Sequence, residues 1–263
     1  KFNVNQTSFN DVWGRPQNDG PALRVIVMLD IYNNFPNYSS IRNTVKEIIN
    51  KDIDYIIQNY NIPCYDLWEE VYGYHLYTRA VQCKALKECL KSNIFPIKKD
   101  RMEKSIMALK NLIQHHQYAY TSFNEKGEIV REFDTALLFA VTHIDFDREI
   151  IDYTSNAFKD HLLNMIDFYN NQYRLNVKMD ILLLGRYKND TYYGGNPWII
   201  CTCALLQILL KYEMENIEFP DVDIDISKYP SGTYYLHFNS SASQQGCNAE
   251  EVETISTKII LTK

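Results

Sequence analysis

Two consecutive glutamates, Glu69 and Glu70, sit in YDLWEEVYGYHLYT, residues 65–78. No lysine or arginine lies within seven residues of the pair, and a tryptophan and four tyrosines surround it. A solvated helix face interleaves both signs of charge, so an acidic pair among rings points to carboxylate chemistry: giving up a proton, or holding hydroxyl groups. Adjacent residues project in different directions, so the two cannot flank one bond as its acid and its base. One can donate a proton while the other binds. A carboxylic acid is useful as an acid at neutral pH when apolar walls raise its pKa, and Leu67, Trp68 and Val71 are the residues that would supply such walls.

Each of the three tryptophans lies at or within a loop that also carries charged residues and runs into a helix. Trp13 opens WGRPQNDGPALR with Arg15 and Asp19, and Gly20–Pro21 there suits a helix start. Trp68 precedes the glutamate pair. Trp198 ends GRYKNDTYYGGNPW with Arg186, Asp190 and Tyr192, where Asn196 and Pro197 read as an N-cap and first helical residue. Helices that alternate up and down gather such loops at one end, pooling carboxylates, arginines and rings around one cavity. If that cavity hydrolyses a glycoside with inversion, a second carboxylate must come from elsewhere, roughly 6.5–9.5 Å across the scissile bond, to activate a water.

The elements that position these loops are long helices. In SIRNTVKEIINKDIDYIIQNY, from Ser40, the residues Ile41, Val45, Ile48, Ile49, Ile53, Ile56 and Ile57 share one face. Similar periodicity predicts helices at about 22–35, 74–91, 100–117, 147–171, 197–214 and 249–261. No strand–helix alternation appears, so the fold is mainly α. The one β-like piece is DVDIDIS at 221–227; as a calcium loop it fails, since Ile226 stands where Gly is needed and Gly232 where the bidentate Glu belongs.

At 263 residues the chain is long enough for one substantial core. Its net charge of −6 brings no Lys/Arg cluster to neutralise phosphates, which excludes nucleic acid as a main partner. Its 20 tyrosines suit ligands presenting C–H patches beside hydroxyls, as sugars do. The cysteines at 64, 83, 89, 201, 203 and 247 have no metal-ligand spacing and read as buried free thiols. The longest apolar run, WIICTCALLQILL at 198–210, is too short to cross a bilayer, so no membrane insertion is expected.

The segments FNVNQTSFNDVWGRPQNDGPALR, YDLWEEVYGYHLYT with AVQCKAL after it, and GRYKNDTYYGGNPWIICT resemble, in order and separation, the fungal glucoamylases of glycoside hydrolase family 15. The resemblance implies an all-α (α/α)6 barrel with a pocket at one end, no cofactor or metal, and release of glucose with inversion from the non-reducing ends of starch- or glycogen-type α-glucans. It assigns Glu69 as general acid and Glu70 as a neighbouring carboxylate that binds sugar hydroxyls. Trp13 shapes the pocket with Arg15 and Asp19 in the same loop, Leu67 and Trp68 flank the acid, and Arg186, Asp190, Tyr192 and Trp198 hold substrate. FDTALLFAVTHIDFD, 133–147, is a fainter echo that ends near His143.

The chain also departs from the family. No motif after Trp198 resembles the family's catalytic base; Glu250 and Glu251 are the late glutamate pair, in surroundings that read as a helix start. The family's Arg-Asp loop for the terminal glucose is not recognisable. Lys188 and Asn189 replace the usual Pro-Glu, and Asn5 stands where an acid is common. Residues 1–263 are therefore expected to form a partial catalytic domain, a barrel incomplete at both ends. The alternative is a non-catalytic carbohydrate-binding or regulatory relative that kept the pocket loops. Sequons at Asn5, Asn37, Asn189 and Asn239 fit a secreted or vacuolar protein, with Asn189 expected to stay bare.

Overall fold

A computed structural model of the chain describes residues 3–35, 39–116, 118–179, 182–220, 232–237 and 256–261. Helix α1 (Gly20–Asn34) begins at the Gly20–Pro21 pair, where the missing proline N–H removes a donor that has no intrahelical partner. Helix α2 (Ser39–Asn59) buries Val45, Ile49, Ile53 and Ile56, the centre of the apolar stripe. Ile41, at the head of that stripe, is exposed. The remaining helices among the described residues are α3 (Leu76–Ser92), α4 (Lys99–Gln114), α5 (Ala136–His143), α6 (Asn156–Gln172), α7 (Arg174–Met179) and α8 (Ile199–Met214).

Helices α1, α3, α5 and α8 pack side by side in that order. Their apolar residues explain the position: α5 buries every residue from Ala136 to Val141, and α3 buries twelve, including Arg79, Gln82 and Lys84. A helix buried nearly all round belongs inside a layered core rather than on its surface. Helix α2 backs α1 and α4 backs α3. Helix α6 joins the same core through Phe158, Leu162, Met165 and Tyr169. Each fully buried Leu, Ile or Phe contributes about 1.5–3 kcal/mol, so this core outweighs the local preferences of the loops that rest on it.

Short strands place the acidic turn. Strands β1 (Cys64–Tyr65), β2 (Tyr72–His75) and β3 (Ser122–Asn124) form an antiparallel sheet, with Gly73 opposite both Cys64 and Asn124. A Cβ on Gly73 would lie 1.9 Å from the Phe123 carbonyl oxygen, so glycine alone fits there. Strands β4 (Gly232–His237) and β5 (Ser256–Leu261) form a separate antiparallel pair.

Three expectations are corrected. The helix expected at 249–261 is replaced over Ser256–Leu261 by β5, whose β-branched Thr257, Ile259 and Ile260 suit a strand. The helix expected from 147 starts at Asn156: Asp145 and Phe146 adopt positive φ, of 55° and 53°, and the Ser155 side chain accepts the Phe158 N–H at 3.3 Å as an N-cap. Asn196 and Pro197 do not open α8, because Trp198 is the N-cap and Asn196 instead donates to the Tyr193 carbonyl at 2.7 Å. Cys64, Cys83, Cys89 and Cys201 are buried free thiols, and Cys203 is a half-buried one. The 221–227 stretch, Asn37, Asn239, Cys247, Glu250 and Glu251 lie outside the described residues. No helix of the described residues is long and apolar enough to cross a membrane.

Candidate active site

The turn between β1 and β2 is built on Asp66. Its backbone N–H donates to the Val71 carbonyl at 3.0 Å and its carbonyl accepts from Glu69 at 3.0 Å. Its carboxylate accepts the N–H groups of Glu70 at 2.8 Å and Val71 at 2.9 Å. These bonds hold Glu69 at a φ of 65°, a left-handed conformation that a non-glycine residue keeps only when its surroundings over-determine it. The two glutamates consequently part company, as adjacent residues must.

Glu70 is tethered. Its carboxylate meets Arg131 at 2.8 Å and Arg186 at 2.9 Å, and it accepts the Tyr187 hydroxyl. Arg131, almost fully buried, also pairs with Asp66 and lies 4.0 Å from the centre of the Tyr187 ring. Arg186 grips Asp190 with two parallel bonds, of 2.8 and 2.6 Å. Rings hem the same guanidinium, with Tyr192 at 4.6 Å, Trp198 at 5.3 Å and Trp68 at 5.5 Å from their centroids. Burial works against the Arg186 cation, but its bonds to Asp190 and Glu70 outweigh burial and keep its pKa above the ordinary arginine value. Burial likewise opposes ionisation of Asp190, and the Arg186 bonds with the Tyr192 N–H reverse it, so that carboxyl sits below its usual range.

Glu69, by contrast, is untethered: it is exposed, as Glu70 is, but its carboxyl group has no hydrogen bond or ion pair among the described residues. The apolar walls expected around it do not close. Leu67 and Trp68 turn down and pack against the core instead. Trp68 donates its indole N–H to Asp134 at 2.9 Å, and Asp134, buried, also accepts from Thr121 at 3.1 Å and from the Ala136 N–H at 2.9 Å. Burial raises the Asp134 pKa, with Arg131 and these donors opposing the rise.

The first tryptophan loop lies against the turn. Tyr65 N–H donates to the Pro16 carbonyl at 2.8 Å, and a Cβ on Gly14 would come within 3.0 Å of the Glu69 carbonyl oxygen and the Tyr65 ring. Asp19 stands near enough to Glu69 to feel its charge: burial first, and Glu69 in addition, raise its pKa against the pull of two backbone N–H groups. Trp13 meets Phe9 edge-on at 6.2 Å. Arg15 does not join the cluster; its exposed guanidinium donates to the Phe9 carbonyl and covers the Phe9 ring at 5.6 Å. His143 is exposed, accepts the Tyr77 hydroxyl at 2.8 Å, and reaches Trp68 only through Phe139. Lys188 pairs with Glu132 at the rim.

The three tryptophan loops therefore meet, and they lead into the N-terminal ends of α1, α3 and α8. A fourth segment, residues 131–135 ahead of α5, joins them. It brings Arg131 and Asp134, which sequence reasoning missed together with Asp66 and Tyr187. The arrangement pairs one unengaged carboxyl group with a carboxylate fixed by two guanidinium groups, among rings. Such a combination is suited to hydroxyl-rich neutral ligands and to passing a proton to one of their oxygens.

The family model described as glycosyl hydrolases family 15 matches residues 1–257. Glucoamylase-1 of Schizophyllum commune is 27% identical over 278 residues, covering 98% of this chain and 47% of that protein. Glucoamylase S2 of Saccharomyces cerevisiae is 30% identical over 260 residues, covering 82% of this chain and 33% of that protein. The chain thus spans less than half the length of these relatives. Among solved structures, the glucoamylase from Saccharomycopsis fibuligera superposes with a TM-score of 0.70 at 22% identity, covering 81% of this chain and 51% of that one. The Hypocrea jecorina enzyme gives 0.68 at 24%, covering 81% and 39%. At such identities the likeness concerns the fold, and the helices described above are those of an (α/α)6 barrel. With its sequence matched almost from end to end and its helices laid out in the same barrel, the chain belongs to glycosyl hydrolases family 15.

Proposed function

We propose that this chain carries the general acid and much of the sugar-binding surface of an inverting, exo-acting glycoside hydrolase that releases glucose from the non-reducing ends of α-1,4-glucans. The observation that carries the reading is the division of labour between Glu69 and Glu70. One carboxyl group is unengaged and reachable. Its neighbour is clamped by Arg131 and Arg186.

In this reading Arg186 and Glu70 hold hydroxyls of the sugar, and Trp13, Tyr192 and Trp198 present ring surface to its C–H groups. Asp190 keeps the planar Arg186 guanidinium aimed. Glu69 gives its proton to the glycosidic oxygen as the bond to the anomeric carbon breaks. A water attacks that carbon from the opposite face and loses its proton to a base, for which no described residue is assigned. No cofactor enters these steps. Exposed Asn5, in its Asn-Gln-Thr sequon, supports a secretory or vacuolar location.

The test is Glu69→Gln in the enzyme that contains this chain. The amide keeps the shape and cannot donate the proton, so kcat should fall about 10²–10⁴-fold with little change in KM. Proton NMR of a fresh wild-type digest should show β-glucose first. Retention of half the activity by the variant, or first appearance of the α-anomer, refutes the assignment.

A further inference from the structure

Two adjoining cavities, of about 630 and 560 Å³, run along α6 and meet at Ala119, His161 and Asn164. The first lies between the end of α4 and the start of α6, with Arg148, Asp152 and Asp160 at its edge. The second continues past Phe133 and Phe168 to Gln172. Their one link to the candidate active site is Phe133, in the segment ahead of α5.

The wall of this groove is a run of nearly parallel rings. Phe133 lies 4.7 Å from Phe168 at 15° and 6.0 Å from His161 at 11°. Phe133 holds a φ of 47°, a conformation that a bulky residue keeps only where the surroundings impose it. Here the Tyr169 hydroxyl donates to its carbonyl at 2.8 Å. His161 is 8% exposed, and its Nε2 is a buried polar atom with no partner among the described residues. Such an atom is left unsatisfied until a ligand or water meets it. Around the rings, the exposed side chains of Asp160, Asn164 and Gln172 have no hydrogen-bond partner among the described residues. Arg148 is taken up by Glu215.

We propose that this groove is a second carbohydrate site, which takes a stretch of neutral α-linked gluco-oligosaccharide. The inference rests on the reading of the chain as acting on α-glucans. Sugar C–H groups fit the ring wall, and hydroxyls, which donate and accept equally, fit the free amides of Asn164 and Gln172 and the free carboxylate of Asp160. Glu149 is balanced by Lys87 and Lys110, but Asp152, Asp160 and Asp167 still outnumber Arg148, so the groove disfavours an anionic ligand. The groove and the candidate active site also share a segment. Arg131 and Asp134 face the acidic turn, whereas Phe133 between them faces the groove. A glucan held in the groove is thereby kept beside the loop that anchors Glu70.

The probe is maltoheptaose, read by hydrogen–deuterium exchange on the full chain. Exchange should slow over residues 156–172 in the wild type and equally in Glu70→Gln, where the candidate active site is weakened. Ala119→Trp fills the junction of the two cavities without removing a core side chain. In the Glu70→Gln background it should abolish that protection and weaken maltoheptaose binding roughly tenfold, the cost of a few hydrogen bonds and a ring contact. If Ala119→Trp lowers the melting temperature, the surface pair Asp160→Ala and Asn164→Ala serves in its place. Protection confined to residues 64–75 and 185–198 overturns the proposal. So does protection of α6 that survives the filling variant, or protection given by a lysine-rich peptide and not by the sugar. Protection of α6 with none at 64–75 leaves the groove standing and removes the candidate active site instead.

Discussion

The structure makes a strong prediction about acid. Three histidines are buried as neutral rings, with pKa values lowered to about 4 for His75, about 3 for His116 and about 4 for His161. Burial is the main cause in each, and the Arg79 guanidinium adds to it for His75 and His116. The hydrogen bonds fit neutral rings: His75 Nε2 donates to the Cys64 carbonyl at 2.9 Å, and His116 Nε2 accepts from Arg79 at 2.8 Å. In the unfolded chain these rings titrate near 6.5. As pH falls below that value the unfolded state takes up protons that the folded state refuses until about 3 to 4, so stability is lost on acidification. Between pH 7.5 and 5.5 each histidine should cost about 1.3 kcal/mol, and the three together about 4 kcal/mol. That is a large part of the 5–15 kcal/mol typical of a folded domain, roughly speaking. Asp19 and Asp134, whose pKa values are raised, act in the opposite sense, but only as pH falls through those raised values towards 3.8. Urea unfolding at several pH values across the window measures the effect as a falling midpoint at constant slope. His161→Phe keeps a ring beside Phe133 and should remove about a third of the loss. A midpoint that is flat or rises between pH 7.5 and 5.5 would refute the reasoning.

Two further outcomes follow from the turn. Glu70→Gln should raise KM for maltoheptaose about tenfold or more, since a charge-assisted hydrogen bond is worth roughly 1.5–3 kcal/mol; an unchanged KM with a collapsed kcat would mean that the two glutamates have exchanged roles. Gly73→Ala should lower the melting temperature by several degrees, on the order of 2 kcal/mol or more, because the added methyl would strike the Phe123 carbonyl and part β2 from β3. An unaltered melt with full Glu69-dependent activity would show that the sheet does not position the turn.

The sequence was readable where structure is periodic. The isoleucine stripe of α2 and the amphipathic α4 follow from helical spacing alone, and Pro21 marked the start of α1. Strands of two to four residues carry no period to read, so the sheet that presents Glu69 and Glu70 was invisible, as was the six-residue α7. The break at Asp145 and Phe146 was hidden for another reason: an aspartate only occasionally adopts a positive φ, and a phenylalanine rarely does. The site was half legible. Glu70, Arg186 and Asp190 do come together, whereas Arg15 turns to Phe9 and the walls around Glu69 stay open. Arg131 escaped notice because its partners Asp66 and Glu70 lie 65 and 61 positions away. Asp66 alone left a local signal, an aspartate just ahead of the glutamates that could bond the backbone of a tight turn.

Those long separations also set an order of events during synthesis. The turn at 66–71 is complete only when Glu70 has met Arg131 and Tyr187, and the second of these contacts spans 117 positions. A ribosome adding roughly 5–20 residues per second needs about 6 to 23 s to cover that distance. For about the first half of that interval, until Arg131 is made 61 positions beyond Glu70, Asp66, Glu69 and Glu70 form an acidic knot without their arginine partners. The helices beneath can pack meanwhile, since the helical contacts of α1 with α2 and of α3 with α4 are close in sequence. The clamp on Glu70 is thus closed only with the segment around residue 186, well after the helices beneath it have been made.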